Sequence, residues 1–208
     1  MWYTRRDLEQ LKTIKDYLPS FNPIGFLEIG SLDAADAKVI SDFYKVDSYV
    51  IEPNPYSYQD ILSSCPEIKA FNVAFSYTDG TSEFYAVKSK DKYQQSISSV
   101  LDNKNFFIRN KVVVKTMRGD TFLEKENISV NFVKIDVEGF SYQVVDGFGD
   151  KIDVFDAIQI ETERKAIWKN QILDDEVNLL LESKGFKLVH RVDGWKNQYD
   201  SLYINTNR

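Results

Sequence analysis

The chain has 208 residues with 43% hydrophobic and 14% aromatic content, which predicts one folded domain over residues 1–208 and argues against disorder. Its net charge of −6 and isoelectric point of about 5.0 exclude the basic character that phosphate binding needs, so no nucleic-acid partner is expected. No apolar run reaches the length of a membrane span, so no membrane partner is expected either.

The cysteine content and the N-terminal region bear on the compartment. Cys65 is the single cysteine, so no intrachain disulfide can form, as is typical of proteins from a reducing compartment. The charged residues Arg5, Arg6, Asp7 and Glu9 stand where a secretory signal would be apolar. These features predict a cytoplasmic protein. They leave the oligomeric state open, with a homodimer among the alternatives.

The first half of the chain alternates helices and strands. Residues 1–19 are predicted to form an N-terminal helix, which Pro19 ends. Short apolar segments predict strands at 25–30, 48–52 and 68–76, and the segments between them predict helices at 33–44 and 56–64. The inward face of the helix at 33–44 is predicted to comprise Ala35, Val39, Ile40 and Phe43. This alternation is typical of a parallel half-sheet.

The second half resumes the alternation after a polar insertion at 88–110, which is predicted to be a loop or flap. Its hydroxyl and amide side chains predict either a cover over a sugar-like acceptor or a solvated loop; they are those of Gln94, Gln95, Ser96, Ser98 and Ser99. Asp120 is predicted to cap a short helix. Strands are predicted at 81–87, 111–117, 131–138, 156–161, 186–192 and 201–205, and helices at 141–146 and 174–184. The last two strands must be antiparallel, because their connection is too short for a helical crossover. The predicted fold is α/β, with a Rossmann-like, mostly parallel sheet.

Three charged residues alternate with apolar ones near the end of the strand at 131–138. Lys134, Asp136 and Glu138 follow period two and therefore lie on one side of that strand. A central parallel strand is usually apolar on both faces, and burying unpaired carboxylates there is costly. The pattern therefore predicts that the strand ends here and that its carboxylates open into the crevice where ligands of α/β sheets bind.

A second set of residues predicts a nucleoside site. Glu28 and Gly30 end the first strand and Asp33 opens the following helix, so a tight turn meets a helix N-terminus. Glu52 ends the next strand, 22 residues after Gly30, where an acid can accept hydrogen bonds from both ribose hydroxyls. Together, and in this order, these residues favour a cofactor that contains adenosine.

The turn after the first strand distinguishes among such cofactors. A dinucleotide site needs G-x-G-x-x-G, but here only Gly30 is present, and Asp33 and Asp36 stand where a pyrophosphate would lie. S-adenosylmethionine fits better, because Glu28 and Asp136 can face its positively charged sulfonium. An NAD-dependent oxidoreductase is therefore the weaker enzyme hypothesis. The phosphate loop G-x-x-x-x-G-K-[ST] is absent, which disfavours a P-loop NTPase.

Four segments between about Phe26 and Glu163 resemble FkbM-type methyltransferases, in the same order along the chain. They are Leu27-Glu28-Ile29-Gly30-Ser31, Ile51-Glu52-Pro53-Asn54-Pro55, Asn72-Val73-Ala74-Phe75-Ser76 with Asp79-Gly80, and Val133-Lys134-Ile135-Asp136-Val137-Glu138-Gly139. The resemblance implies a class I methyltransferase fold, with seven strands of which the last is antiparallel. It also implies S-adenosylmethionine as methyl donor and O-methylation of a small-molecule or glycan acceptor.

The same resemblance implies roles for individual residues. Glu28, Gly30 and Ser31 would line the methionine end of the cofactor, and Asp136 would close that side. Glu52 would hold the ribose. The residues that would flank the adenine are Pro53, Asn54, Ala74 and Phe75. The chain departs from the family in the turn at 31–35, which lacks the family's second glycine.

Methyl transfer to a hydroxyl requires alignment of the acceptor and removal of its proton. The predicted catalytic residues are Asp136, Glu138 and Glu161, with Glu138 or Glu161 as the base or as the group that orients the acceptor. Alternatively, these carboxylates cap helices or pair with Lys134 or Arg164. No clustered His, Asp or Glu motif stands out, so no metal is predicted. A non-catalytic domain that binds S-adenosylmethionine or a partner remains a further alternative.

Overall fold

A computed structural model describes residues 12–89, 91–102, 110–194 and 197–208, and all structural statements below concern these residues. Its helices are α1 (12–17), α2 (Ala35–Tyr44), α3 (Pro55–Ser64), α4 (Lys92–Ser96), α5 (Gly119–Glu126), α6 (Ser141–Gly147) and α7 (Asp174–Ser183). Its strands are β1 (Gly25–Ile29), β2 (Asp47–Ile51), β3 (Lys69–Phe71), β4 (Ala74–Phe75), β5 (Gly80–Ala86), β6 (Asn110–Met117), β7 (Phe132–Ile135), β8 (Ala157–Glu163), β9 (Phe186–Asp193) and β10 (Gln198–Asn205). The first part of the predicted N-terminal helix, residues 1–11, lies outside the described residues.

The main sheet has seven strands in the order β3-β2-β1-β7-β8-β10-β9. The pairs from β3 to β8 are all parallel, whereas β10 runs antiparallel to both β8 and β9. This arrangement confirms the predicted α/β class, the mostly parallel sheet and the antiparallel last strand. Because parallel strands end at the same edge, the loops after β1, β2, β7 and β8 all meet at one side of the molecule.

A small second sheet, in the order β4-β6-β5, was not predicted. The predicted strand at 68–76 is in fact divided, with β3 in the main sheet and β4 in the small one. The division falls at Asn72, whose side-chain amide donates to the backbone carbonyls of Glu52 at 2.8 Å and Pro53 at 3.1 Å. The chain therefore leaves the main sheet beside the end of β2.

Hydrophobic cores lie on both faces of the main sheet. On one face, Phe122 of α5, Val144 of α6 and Leu181 of α7 pack against the strands. On the other face, Ile40 of α2 and Ile61 of α3 belong to a second buried cluster. Helices on both faces are the expected covering of a parallel sheet. No helix in the described ranges has the length and apolar character needed to cross a membrane.

The predicted inward face of α2 is wrong by part of a turn. Phe43 is 62% exposed, whereas Asp36 and Ala37 are buried together with Ile40. Asp36 faces the sheet, where its carboxylate pairs with the ammonium group of Lys134 at the end of β7. Phe43 follows Asp36 by seven residues and so lies on nearly the same side of the helix, but it belongs to the last turn of α2, where its ring packs against Tyr44 and not against the core.

Two further predictions are refined by the structure. The insertion at 88–110 contains the short helix α4, while residues 90 and 103–109 lie outside the described part of the chain. The N-cap position of α5 is Arg118, not Asp120, which lies in the first turn of that helix. The Asp120 carboxylate instead forms an ion pair with Arg118 at 2.6 Å, a geometry in which it still accepts a hydrogen bond from the N–H of Thr121.

Candidate active site

Polar side chains follow four neighbouring strands at one level of the main sheet. Ile29 pairs in register with Ile51 and Ile135, and Ile135 pairs with Ile160. The next residue along each strand therefore occupies a single row: Glu52, Gly30, Asp136 and Glu161, extended by Asp200, the β10 partner of Glu161. Directly before the isoleucines, strands β1, β7 and β8 carry Glu28, Lys134 and Gln159, which also pair in register. The parallel register thus assembles at one edge acids that are distant in sequence.

These residues line a cavity of about 790 Å³ at the carboxyl ends of the strands. Its lining includes nine of the residues predicted to bind the cofactor, namely Glu28, Gly30, Asp33, Glu52, Pro53, Asn54, Ala74, Phe75 and Asp136. The tenth, Ser31, does not line it, because its buried hydroxyl accepts a hydrogen bond from the N–H of Ala34 at 2.8 Å and so supports the turn. The predicted catalytic residues Glu138 and Glu161 also line the cavity. The individual roles of these residues stay predictions.

The turn after β1 is shaped by Gly30. Its φ angle is +83°, and a Cβ atom placed there would lie 1.8 Å from the carbonyl oxygen of Asp136. Any other residue would be both strained and in collision with backbone, so only glycine fits here. The absence of a side chain lets the turn after β1 pack directly against the backbone that follows β7, and Gly30 itself lines the cavity.

A buried charge cluster lies beneath this turn. The Oε2 atom of Glu28 accepts a hydrogen bond from the N–H of Ala37 in α2 at 2.7 Å. Burial, together with the nearby Asp36 carboxylate, raises the pKa of Glu28 to about 8. Lys134 pairs with Asp36 and lies 3.7 Å from Asp136. Burial alone would lower the pKa of Lys134, but the surrounding carboxylates hold it well above its ordinary value.

The acid after β2 is fixed by the first turn of α3. Glu52 is 6% exposed, and its Oε1 atom accepts a hydrogen bond from the N–H of Asn54 at 2.6 Å. Burial raises the pKa of Glu52 well above its usual range. The Asn54 side chain caps α3 by accepting from the N–H of Tyr56 at 3.0 Å. The carboxyl group is thus held at the edge of β2, where a ribose would be expected.

The insertion, which was predicted to be either a flap over the acceptor or a solvated loop, forms one wall of the cavity. The Ser98 hydroxyl accepts hydrogen bonds from the Asn54 side chain and from the N–H of Val87, both at 3.0 Å, and donates to the Gln95 carbonyl at 2.9 Å. The Gln95 amide donates to the hydroxyl of Ser57 in α3 at 2.9 Å. Ser98 and Gln95 both line the cavity. Nothing in the weak pattern of this segment indicated these contacts, since they depend on tertiary structure.

The acidic end of the cavity gathers the three predicted catalytic residues. Carboxylate oxygens of Asp136, Glu138 and Glu161 lie within 4.8 Å of one another. The Gln198 side chain donates to Oε1 of Glu161 at 2.9 Å. Burial raises the pKa of Asp136 against the opposing effect of Lys134, and burial and neighbouring carboxylates raise that of Glu161. Raised carboxyl pKa values are typical of groups that accept protons near neutral pH.

Glu138 has a left-handed backbone conformation with φ of +51°, which is uncommon outside glycine. Its carbonyl accepts a hydrogen bond from the hydroxyl of Ser99 at 2.8 Å, so the insertion also holds this loop. The next residue, Gly139, has a φ of +86°, and a Cβ atom there would lie 2.3 Å from the ring of buried Trp168. Strained residues at a cavity often mark functional sites.

The alternative roles considered for these acids are only partly realised. Lys134 does approach Asp136, as the ion-pair alternative expects. Arg164, however, pairs with Asp193 of β9 and stacks over the ring of Tyr199, with 4.3 Å between guanidinium carbon and ring centroid. Gln159, Gln198 and Asp200 also line the cavity and were not predicted, although Gln159 and Glu161 share the period-two spacing that singled out Asp136.

The sheet defines the class of the protein. Counted within the main sheet alone, its strands follow the order 3-2-1-4-5-7-6 with the seventh reversed, which is the class I methyltransferase fold. NodS, an N-methyltransferase from Bradyrhizobium japonicum, superposes with a TM-score of 0.51 at 11% identity, over 97% of this chain and 94% of that one. The 1,6-didemethyltoxoflavin-N1-methyltransferase of Burkholderia thailandensis gives a TM-score of 0.51 at 10% identity, over 98% and 78%.

The methyltransferase FkbM domain matches residues 28–188, and the chain belongs to this family. The match confirms the predicted family and methyltransferase class, for which S-adenosylmethionine is the methyl donor. TrmK of M. capricolum, in complex with S-adenosyl-homocysteine, also shares the fold, with a TM-score of 0.51 at 11% identity over 88% of this chain. The present chain spans 62% of the length of TrmK. No curated protein sequence gives a significant match.

Proposed function

We propose that the chain transfers a methyl group from S-adenosylmethionine to a hydroxyl group of a sugar or another small metabolite. The observation that carries this proposal is a cavity at the carboxyl ends of the strands. Glu52 and Gly30 line it after β2 and β1, and the carboxylates of Glu138 and Glu161 line it at the neighbouring strands β7 and β8. A donor and an acceptor could therefore occupy one continuous space.

The donor end suits S-adenosylmethionine in shape and charge. The positive φ of Gly30 allows the sharp turn that brings the backbone of this segment into the cavity wall. Glu52 stands ready to accept hydrogen bonds from ribose hydroxyls, with the apolar side chains of Ala74 and Phe75 available to flank an adenine ring. Glu28 and Asp136 supply acidic groups that favour a sulfonium. The lack of a second glycine in the turn at 31–35 speaks against a pyrophosphate, and thus against NAD.

The acceptor end suits a hydroxylated ligand. Besides its carboxylates, this end presents the side-chain amides of Gln159 and Gln198. Carboxylates accept hydrogen bonds from hydroxyl groups, and amides both donate and accept, so together they match the alternating donors and acceptors of a sugar. A cavity of about 790 Å³ lies in the size range of small-molecule sites.

The protein residues have two tasks in the reaction. S-adenosylmethionine, when bound, supplies the methyl group, its carbon–sulfur bond breaking as a carbon–oxygen bond forms. Glu138 or Glu161 orients the acceptor hydroxyl and takes its proton, and the raised pKa of Glu161 suits a base that works near neutral pH. The wall formed by the insertion and the Gly30 turn holds the two reactants in line and excludes water.

A methylation assay tests this function. The purified chain is incubated with methyl-labelled S-adenosylmethionine and a panel of sugars, glycosides and small alcohols, and products are identified by mass spectrometry. We expect O-methylated product, with a rate at least tenfold lower in Glu138→Gln or Glu161→Gln. Glu176→Gln, an exposed acid in the first turn of α7, should match the wild type. Cofactor binding without transfer to any hydroxyl, or methylation at nitrogen alone, would contradict the proposal.

A further inference from the structure

The acidic end of the cavity also has the geometry of a cation site. Asp136 and Glu138 follow β7, whereas Glu161 lies in β8, and the parallel pairing of the two strands brings the three carboxylates together. Ligands that surround one Mg²⁺ or Ca²⁺ ion at 2.0 to 2.6 Å lie up to about 4 to 5 Å apart. Three carboxylate oxygens within 4.8 Å of one another can therefore share a single ion.

The charge around this cluster is strongly one-sided. Among the described residues that line the cavity there are eight carboxylates and one cation, Lys134. The ammonium group of Lys134 pairs with Asp36 and is 3.7 Å from Asp136, so it reaches only one side of the cluster. The sulfonium of a bound donor would add one positive charge. A cation placed among the three carboxylates would be attracted by each of them.

A second, independent observation comes from Gln159. It is 7% exposed, and its side chain lines the cavity on the same face of β8 as Glu161, two residues away. Within the described part of the chain its side chain forms no hydrogen bond to protein. Its polar atoms are accessible from the cavity and are not among the buried atoms that lack a partner, so they can contact a ligand or an ordered water there. An amide oxygen is also an accepted ligand, direct or through water, of a hard cation.

We propose that Asp136, Glu138 and Glu161 bind one divalent cation of the Mg²⁺ type, with the Gln159 amide contacting a water of its coordination shell. Oxygen-only ligands favour Mg²⁺, Mn²⁺ or Ca²⁺ over zinc or copper. This inference replaces the sequence-based expectation of no metal, which rested on the absence of a clustered motif. If the proposed methyl transfer is right, the ion would bind the acceptor hydroxyl and lower its pKa, and the proton would pass to a carboxylate oxygen of Glu138 or Glu161 that does not contact the ion.

Metal binding can be measured without donor or acceptor. The chain is treated with EDTA, dialysed, and titrated with Mn²⁺ while free Mn²⁺ is followed by electron paramagnetic resonance. We expect one Mn²⁺ per chain, displaced by excess Mg²⁺, and affinity at least tenfold lower in Glu161→Gln and in Glu138→Gln. Glu176→Gln serves as the matched control, with unchanged affinity. Circular dichroism checks the fold of each variant, and Glu138, in a partly exposed loop, is the safer substitution.

Two results would overturn the site. One is the absence of Mn²⁺ binding by the wild type. The other is a Mn²⁺ affinity that is the same as that of the wild type in both Glu161→Gln and Glu138→Gln. The assay also separates this inference from the proposed function. Tight Mn²⁺ binding with methyl transfer unaffected by EDTA would keep the site but remove its catalytic role, whereas efficient transfer by a chain that binds no Mn²⁺ would keep the function and reject the site.

Discussion

Gly30 and Asp136 are in direct backbone contact, since a Cβ atom on Gly30 would lie 1.8 Å from the Asp136 carbonyl oxygen. The same two strand ends are joined by a hydrogen bond from the N–H of Asp136 to the carbonyl of Ile29 at 2.9 Å. The predicted donor turn and the predicted catalytic loop are therefore one rigid unit. A change at either residue is expected to affect the other.

Gly30→Ala should damage both stability and cofactor binding. The left-handed conformation is unfavourable for alanine, and the methyl group would collide with backbone that has no room to move, so we expect a loss of roughly 2 to 5 kcal/mol in unfolding free energy. Gly80→Ala is the matched control, because Gly80 also has a positive φ but its nearest Cβ contact would be at 3.9 Å. Urea denaturation and calorimetry would measure both effects, and equal losses in the two variants would contradict the close-contact argument.

Glu52→Ala should weaken S-adenosylmethionine binding without unfolding the chain. The loss of hydrogen bonds to the ribose is expected to cost about 1 to 3 kcal/mol, or roughly 5- to 150-fold in Kd. Glu52→Gln, which keeps an oxygen that can accept from the N–H of Asn54, separates the ribose contact from support of the turn. The exposed Glu67→Ala is the control. Unchanged affinity in a folded Glu52→Ala protein would reject the ribose assignment.

Ser98→Ala tests whether the insertion wall supports the cofactor site. The substitution removes one acceptor shared by the Asn54 side chain and the Val87 N–H, so each loses a partner. We expect the unfolding free energy to fall by about 1 to 3 kcal/mol and cofactor affinity to fall with it. Ser82→Ala, at an exposed hydroxyl that donates only to the neighbouring Glu83 carbonyl, is the control. An insertion irrelevant to the site would leave affinity the same in both variants.

Glu163 gives a prediction about pH. It is 2% exposed, and burial, with the nearby Asp136 carboxylate, raises its pKa to about 7 from 4.5. Between these values the folded chain binds more protons than the unfolded chain, so this residue's contribution to stability is present at low pH and is lost as pH rises toward 7. The glutamine side chain in Glu163→Gln does not titrate, so this variant should not lose that stability as the pH rises.

The difference in unfolding free energy between Glu163→Gln and the wild type isolates the effect of Glu163. Measured by urea denaturation, the stability of Glu163→Gln relative to the wild type should rise by about 2 to 3 kcal/mol from pH 5 to pH 8. Other groups that titrate in this range, such as Glu28, occur in both proteins and largely cancel. A difference that stays constant with pH would mean that Glu163 keeps an ordinary pKa in the folded chain.

Features that depend on neighbouring residues in the chain were predictable from sequence. The ends of β1, β2 and β7 are marked by local changes from apolar to polar residues, so Glu28, Glu52 and Asp136 could be assigned to one crevice before the structure was known. Parallel topology then places these acids in the same crevice, because it brings strand ends together whatever their separation along the chain. The antiparallel last pair followed from the shortness of the connection at 193–200 alone.

Features that depend on tertiary partners were not predictable. Asp36 was not expected on the inward face of α2, because nothing near it in sequence indicates its partner Lys134. The polar side chains of the insertion indicated a flap near the acceptor, but they did not indicate the hydrogen bonds to Asn54 and Ser57 that hold Gln95 and Ser98 in the cavity wall. The carboxylate cluster likewise arises only when β7 and β8 pair.

The central claim, that this cavity binds S-adenosylmethionine, is tested most directly by isothermal titration calorimetry. The purified chain would be titrated separately with S-adenosylmethionine, S-adenosyl-homocysteine and NAD. We expect micromolar binding of the first two ligands, with one molecule per chain, and no heat of binding with NAD. Binding of NAD alone, or of none of the three, would contradict it.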